Sequence, residues 1–377
     1  MTEIFLIRHT QAEGNLYRMM QGHWDGNVTE LGWRQIEALA ERFRDVHPDA
    51  VYSSDLYRTL MTATAAARHD GLEIRLDRRF REIDLGPWET GFFGNISYAN
   101  PETMENFINR PGDWYVEGAE TYAQVRDRAF PALVELAEKH EGEKIVVVSH
   151  GVTIRCLMSR ILPADLNDVE KLPIHGNTAV SHIFYDNGKF TVDYVNDQSH
   201  LEAMGLPPWH RSKSLRHESI DPAVESEYYI DCYERTWIFA HGSSEGFSPA
   251  GYLENAVLHH LCDSEAVLCF FDESGSRVGL LDMDVARASD EGIGWISLIY
   301  LTEEYRNKGY GVQLLARAIK KYTNMGRTRL QLNVTESNLA ARAFYKKQGF
   351  VEIGHKENKL GKLLLLEKKL GEGKYVR

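Results

Sequence analysis

A chain of 377 residues, 43% hydrophobic and 26% charged, has the composition of a soluble globular protein and is too long for one ordinary core, so two domains are expected. Its 43 Lys and Arg against 55 Asp and Glu leave a net charge of −12, which argues against a general nucleic-acid or anionic-membrane partner. No apolar run is long enough to span a bilayer, no basic segment with an apolar core opens the chain, and Cys156, Cys232, Cys262 and Cys269 form no CxxC pair, so free thiols in the cytoplasm are the expectation.

From the N-terminus, strand and helix signals alternate over residues 1–205. The short apolar run FLI reads as a buried strand ending in Arg8-His9. TELGWRQIEALAERF follows as a helix that Thr29 can cap. DAVYSS is a second strand leading into the Ala-rich helix LYRTLMTATAAA. After a loop-rich middle, TYAQVRDRAFPALVELAEKH is helical with Pro131 inside it. The strand KIVVVSH, the helix GVTIRCLMSRI, and the pair AVSHIFY and FTVDYVN around Asp186-Asn187-Gly188 close the region. Such alternation predicts a mostly parallel sheet covered by helices on both faces.

Prolines, polar residues and no apolar period mark residues 206–226 as a linker. Beyond it, over 227–377, EYYIDCYE reads as a strand before a helical stretch. AVLCFFDESGSRVGLLDMDVA is a hairpin around Glu273-Ser274-Gly275-Ser276, and GWISLIYL precedes the helix VQLLARAIKKY. RLQLNV, NLAARAFYKKQ, FVEIG and KLLLLEKKL complete a mixed sheet with helices.

Four stretches of the first region place polar residues at strand ends or in adjoining loops. They are Arg8 and His9 after FLI, Arg58 in VYSSDLYRT, His150 in IVVVSHG, and Glu82, beside Asp84, in FREIDLGPWE. Ligands bind at strand ends in α/β sheets, so these groups can converge at one sheet edge. Guanidiniums suit phosphoryl oxygens, a neutral imidazole can be a nucleophile, and a carboxyl group can protonate a leaving oxygen. That set is enough for phosphoryl transfer without a metal.

In their order and spacing, RHTQAEGN, QGHWDGNVTELGWRQ, SSDLYRT, EIDLGPWE and VSHGVTIR resemble the histidine phosphatase (phosphoglycerate mutase-like) superfamily over about the first 200 residues. The resemblance implies a three-layer α/β/α fold acting on a small phosphorylated metabolite. By it, His9 is the phosphohistidine, and Arg8, Arg58 and His150, with Gly151 beside it, hold the phosphoryl group. Glu82 is the proton donor and then the base for water, and Asn15 lines the pocket. Thr10 stands where the family usually has Gly, and Thr90 interrupts the usual Trp-Glu-Gly; both can reshape the pocket. Asp84 can share the acid role or be a solvated loop carboxylate. FFGNISYANPETMENFINRPGDWYVEGAETY is shorter and less basic than the insertion of true mutases, which favours phosphatase over mutase.

In the second region, LIYLTEEYRNKGYGVQLLARAI runs strand, glycine-containing loop, helix. Glycines let the backbone approach an anion, and the free N–H groups of a helix start point at it. With ESNLAARAFYKKQGFVEIG downstream, the region resembles the GNAT superfamily of N-acetyltransferases over roughly residues 227–370. That resemblance implies an α+β acyl-CoA N-acyltransferase fold, acetyl-CoA as co-substrate and an amine acceptor. The pyrophosphate would lie on Arg306, Asn307, Lys308, Gly309, Tyr310 and Gly311, and the pantetheine arm along Ile299, Tyr300 and Leu301. Asn338 would complete the cofactor site, and Tyr345 would donate a proton to the departing thiolate or be an aromatic packing residue. Asp282, Asp284 and Glu291 are candidate bases no better than solvated charges. His259, His260 and Cys262 read as helical surface residues and not a metal set. No metal is expected at either site. The alternatives are a phosphoglycerate mutase, or a phosphatase controlled by a non-catalytic acetyl-CoA sensor.

Overall fold

The opening run Thr2–Arg8 forms strand β1 in the computed structural model, which describes residues 1–208, 213–358 and 361–371. Along the chain follow α1 (Glu13–Tyr17), α2 (Glu30–Arg42), β2 (Ala50–Ser53), α3 (Tyr57–Ala67), β3 (Ile74–Leu76), α4 (Phe93–Ala99), α5 (Pro101–Asn109), α6 (Tyr122–Lys139), β4 (Lys144–Ser149), α7 (Gly151–Ile161), β5 (Val180–Asp186), β6 (Lys189–Asp197) and α8 (Ser199–Ala203). They belong to a first compact unit, Met1–Lys213, and Ser214–Glu372 form a second.

In the first unit the strand order is β3-β2-β4-β1-β5-β6. The four strands from β3 to β1 are parallel, and β5 and β6 run antiparallel at the edge. The apolar runs of β1 and β4 alternate between two cores because successive side chains leave opposite faces of a strand. Ile4, Leu6, Ile145 and Val147 pack with Leu133 and Leu136 of α6 and Ile154 and Leu157 of α7. Phe5, Ile7, Val146 and Val148 pack with Ile36 and Leu39 of α2 and Ala63 and Ala66 of α3. This is the expected three-layer arrangement. Strand β3, with Arg75 and Leu76 exposed at the sheet edge, lies inside the stretch read as loop-rich.

The topology brings the site together. Strands β1 and β4 are parallel neighbours in a register that aligns Arg8 with Ser149, so the residues after their ends, His9 and His150, meet. Strand β2 lies on the other side of β4, which delivers Ser54 and the start of α3 to the same edge.

The second unit contains β7 (Arg216–Ser219), α9 (Ser226–His241), α10 (Pro249–Cys262), β8 (Val267–Phe271), β9 (Arg277–Asp284), β10 (Ile293–Leu301), α11 (Gly311–Asn324), β11 (Arg329–Thr335), α12 (Leu339–Lys347), β12 (Val351–Asn358) and β13 (Gly361–Lys369). Its sheet, ordered β12-β13-β11-β10-β9-β8-β7, is antiparallel except for the parallel pair β10 and β11. One face packs on α11 through Leu314, Leu315 and Ala318. The other packs on α9 and α10 through Tyr229, Cys232 and Ala256.

Two expectations are corrected here. EYYIDCYE is part of helix α9 and not a strand. Its aromatic residues carry strand propensity, but the i, i+3 pair Tyr229 and Cys232 lies on one helical face buried against the sheet, and that packing overrides propensity. The stretch read as linker already contains β7, which pairs antiparallel with β8 at the sheet edge. A short, polar edge strand has no alternating pattern to reveal it.

Candidate active sites

His9 follows the end of β1 and is almost fully buried. Its Nδ1 lies 2.6 Å from the carbonyl oxygen of Thr10. A carbonyl can only accept, so Nδ1 carries the proton and Nε2 keeps its lone pair. Burial, then the charges of Arg58 and Arg8, push the His9 pKa well below its ordinary value. His150 immediately precedes α7 with its ring 5.2 Å from that of His9, and its Nε2 is 2.8 Å from Ser54 Oγ. Burial and the same Arg58, together with His9, depress its pKa as well. Both imidazoles are therefore neutral at neutral pH.

Two guanidiniums flank this pair. Arg8 donates to the carbonyl oxygen of His175, and burial, opposed by Glu82 and reinforced by Arg58, lowers its pKa to about 10. Arg58 is fully buried, donating from Nη1 to Trp24 O at 3.0 Å and from Nη2 to Gly22 O at 2.7 Å, with Asp25 Oδ1 at 3.4 Å. Arg58 Nε and His150 Nδ1 are buried without a hydrogen-bond partner among the described residues. Buried polar groups left unpartnered beside concentrated positive charge are what an anion site presents. Gly151 stands against Arg8, where an added Cβ would meet its Nε at 3.4 Å.

Glu82 sits over the start of α7. Its carboxylate accepts from the backbone N–H of Ile83, Val152 and Thr153 at 3.1–3.2 Å. Helix N-terminal amides so placed fix a carboxylate in orientation. Arg8, His9, Asn15, Glu82 and Gly151 line one cavity of about 230 Å³, whose lining also includes the apolar Met19, Leu85, Phe93, Phe107 and Ile108 and the cationic Arg18 and Arg155. Asn15 Oδ1 accepts from Ala12 N at 3.0 Å and faces Asn177 Nδ2 at 3.4 Å.

Sequence reasoning missed several supports. Asp25 pairs with Arg58, Ser54 meets His150, and Asn177 donates to His9 O at 3.0 Å. Glu89, quoted within its motif but given no role, accepts from Gly22, His23, Trp24 and Leu85 and so folds the loop that receives Arg58. Asp25 and Glu89 lay in plain view within polar motifs, whereas Asn177 carries no local signal. The departures at positions 10 and 90 have structural answers. The Thr10 hydroxyl donates to Gly32 O at 2.7 Å, and Thr10 is fully buried. Thr90 adopts φ 60°, the left-handed conformation that favours the glycine usual there. Asp84 is part-exposed, accepts from Gly86 N at 2.9 Å, lies 3.6 Å from His23 Nδ1 and stays outside the cavity lining, which fits the loop-carboxylate alternative better than a share in the acid role.

In the second unit, β10 pairs with β11 only from Ile293 to Ile296, and a bulge between Ile296 and Leu298 follows. Past Ile296 the two parallel strands separate. A cavity of about 600 Å³ opens there, with Ile299, Asn338 and Tyr345 in its lining. Tyr300 is buried against α9 and α10, and Leu301 O accepts from Arg306 Nε at 2.9 Å. The Arg306 guanidinium lies over the Phe239 ring at 4.4 Å. Asn307 at φ 58° and Gly309 at φ 83° curl the loop into the start of α11, with open space where a Gly309 Cβ would stand. Gly311 is the first residue of α11, and a Cβ there would press on the Phe344 ring at 3.3 Å. Lys308 and Tyr310 complete the turn, Tyr310 with its ring 5.2 Å from that of Tyr305. The diverging strands and bare helix start fit an extended anionic co-substrate. Asn338 also caps α12, accepting from Ala341 N at 3.0 Å, and Tyr345 packs on Phe350 while lining the cavity. Burial raises the Tyr345 pKa.

Of the acidic candidates, Glu291 is exposed, while Asp282 and Asp284 are not solvated charges. Asp282 is almost completely buried, accepting from His259 Nδ1 at 2.7 Å and from the Tyr229 hydroxyl at 2.8 Å. His259 is likewise buried, with Nε2 at 3.4 Å from Asp284 Oδ2, so it is not a helical surface residue. The periodicity of α10 is blunt, and only its packing on β9 shows that position 259 faces inward. Cys262 is exposed, and no group of three or more potential metal ligands occurs among the described residues.

The first unit is thus an α/β domain with two imidazoles, two guanidiniums and a carboxylate gathered at a parallel strand edge, and the second is a mixed-sheet domain with strands splayed over a cavity. Residues 4–198 match the histidine phosphatase superfamily (branch 1), and the chain belongs to that superfamily. Residues 226–350 match the acetyltransferase (GNAT) family, which makes the chain a fusion of two domains. The first is similar to phosphoglycerate mutase-like protein 4 of Arabidopsis thaliana, 36% identical over 208 residues, covering 54% of this chain and 89% of the relative. It is also similar to a probable phosphoglycerate mutase, GpmB, of Salmonella paratyphi C, 30% identical over 211 residues, covering 55% of this chain and 98% of the relative. Among solved structures, Bacillus stearothermophilus YhfR is 32% identical with a TM-score of 0.52, covering 53% of this chain and 100% of that one. The families and folds are those the sequence led us to expect.

Proposed function

We propose that the chain is a bifunctional enzyme that hydrolyses a phosphomonoester through a phosphohistidine on His9 and transfers the acetyl group of acetyl-CoA to an amine. The observation that carries the first activity is the bond from His9 Nδ1–H to Thr10 O, which leaves Nε2 unprotonated beside Arg8 and Arg58. Nε2 attacks phosphorus, the P–O bond to the leaving group breaks, and protonated Glu82 supplies that oxygen with its proton. Glu82 then takes a proton from water as the water displaces His9 from phosphorus. Arg8, Arg58 and His150 hold the phosphoryl oxygens, so charge neutralisation comes from side chains and no metal is invoked. Incubation of the full chain with a generic phosphomonoester should give an acid-labile, base-stable phosphoenzyme. His9→Ala should lose both it and turnover by orders of magnitude, and near-normal hydrolysis by that variant would reject the assignment.

Hydrolysis is preferred over mutase action because Met19, Leu85, Phe93, Phe107 and Ile108 give the cavity an apolar lining for the body of a leaving group, beside Arg18 and Arg155. A comparison of an aryl phosphate with 3-phosphoglycerate tests this directly. For the second unit, the support is the splay of β10 from β11, the glycine turn that follows β10 at the start of α11, and Tyr345 in the lining of the cavity that the splay opens. Acetyl-CoA would supply an activated acyl group there, with Arg306 to Gly311 at its pyrophosphate and Tyr345 as the proton source for the thiolate. Binding of acetyl-CoA with no transfer to any amine would replace this reading by the sensor alternative.

A further inference from the structure

The cavity that holds Tyr345 continues past Ser297 to a second group of polar side chains on the other side of β10. There Asp282, 1% exposed, is shared between the Tyr229 hydroxyl at 2.8 Å and His259 Nδ1 at 2.7 Å. A carboxylate cannot donate, so Nδ1 carries a proton and Nε2 is the nitrogen that can exchange one. Nε2 lies 3.4 Å from Asp284 Oδ2, and Asp284 is fixed by the backbone N–H of Arg287 at 2.9 Å. Burying an ion-paired imidazole costs free energy that a surface helix has no reason to bear, whereas a group that handles protons beside a bound reactant needs this arrangement. The wall around it is aromatic. Tyr233 and Tyr252 stack at 4.0 Å between ring centroids, and Trp237 stands 6.2 Å from Tyr252.

We propose that His259, oriented by Asp282, is the proton acceptor for acetyl transfer, and that the aromatic end of this cavity receives a primary amine carried on an apolar body. The inference rests on the acetyl transfer proposed above. The carboxylates of Asp282 and Asp284 attract the amine as its ammonium, and the aromatic faces favour both that cation and its apolar body. The ammonium gives one proton to Nε2, which returns it to solvent along Asp284. The neutral nitrogen then forms its bond to the thioester carbon as the C–S bond breaks. A second N–H proton accompanies the sulfur as thiol by way of Tyr345, and the amide keeps the third.

The titratable and charged groups facing His259 are Asp282 and Asp284 of β9, Arg287 just after it, Tyr229, Tyr233 and His241 of α9, and Tyr252 of α10, with Cys269 of β8 buried beneath. Burial lowers the His259 pKa, but the bonds and charges of Asp282 and Asp284 outweigh it and leave the pKa above its ordinary value. Transfer at saturating amine should therefore rise with pH through a limb above about 6.5.

The test uses the full chain. Acetyl-CoA binding is measured by calorimetry, and transfer by thiol release with an arylalkylamine, a polar amine of equal length and a weakly basic amine already neutral at pH 7. The parent should prefer the arylalkylamine. His259→Gln should bind acetyl-CoA normally, lose about 10²- to 10⁴-fold in transfer to the arylalkylamine with its pH limb, and lose much less with the weakly basic amine. Asp284→Asn, at a part-exposed position, should lower transfer far less than His259→Gln does and move the limb to lower pH. Near-parent transfer by His259→Gln, or a limb unmoved in Asp284→Asn, overturns this inference and leaves acetyl transfer standing. A parent that fails to bind acetyl-CoA, or to acetylate any amine, overturns both.

Discussion

The chemistry of His9 depends on a single hydrogen bond to the carbonyl of the next residue. It selects the tautomer whose Nε2 can attack, and burial between Arg8 and Arg58 keeps that nitrogen unprotonated. Glu82 is placed with equal economy by the backbone N–H groups of Val152 and Thr153 at the start of α7 and of its own neighbour Ile83. Glu82→Gln should leave phosphate affinity intact and depress turnover far more for an alkyl phosphate than for a nitrophenyl phosphate, whose leaving group barely needs a proton. Equal losses with the two substrates would assign Glu82 a structural role instead. Position 90 carries an opposite lesson. A β-branched residue at φ 60° is strained, so Thr90→Gly should raise stability by about 1 kcal/mol, read as a higher urea midpoint at unchanged slope. A lower midpoint would mean that side-chain contacts of Thr90 outweigh its backbone strain.

Elements act here mainly by where they end. Three parallel strands stop at one edge, and the polar residues beyond those ends share the first site. In the second unit the important event is a separation, since β10 leaves β11 after Ile296 and exposes the cavity. In the proposed acetyl-CoA complex, the turn into α11 meets the pyrophosphate through its backbone N–H groups. Gly309→Val, which forces a β-branched residue to φ 83°, and Gly311→Val, which drives a side chain into Phe344, should each weaken acetyl-CoA binding at least tenfold. Lys308→Ala should change it by no more than a fewfold. Calorimetric titration decides between them, and a Lys308→Ala effect as large as the glycine effects would make the site one of side-chain charge.

For the whole molecule, the buried histidines set the response to acid. His9 and His150 are held well below the ordinary value, His175 at about 3 and His200 at about 4, in each case by burial first. The unfolded chain takes up protons below about pH 6.5 while the folded chain does not, so stability is complete above that pH and declines as pH falls toward the folded values. Each such group contributes up to about 1.4 kcal/mol per pH unit. The full chain should keep a constant denaturation midpoint from pH 8 to 7 and lose stability steeply between pH 6 and 5. A flat profile to pH 5 would show that these imidazoles protonate in place.

The local sequence determined both families, because each displays its chemistry in contiguous stretches. RHT, SSDLYRT, EIDLGPWE and VSHG are strand-end segments, and RNKGYG opens a helix, so residue order alone places polar groups beside apolar runs. Asn177 at His9, Asp25 at Arg58 and the pairing of His259 with Asp282 were decided only by tertiary structure. In the last case the partners are 23 residues apart, on a helix and a strand whose local patterns look like ordinary surface and core. Periodicity reports which way a side chain faces relative to its own element. It does not report which charge waits on the other side, and a buried imidazole between two carboxylates exists only once α10 has packed on β9.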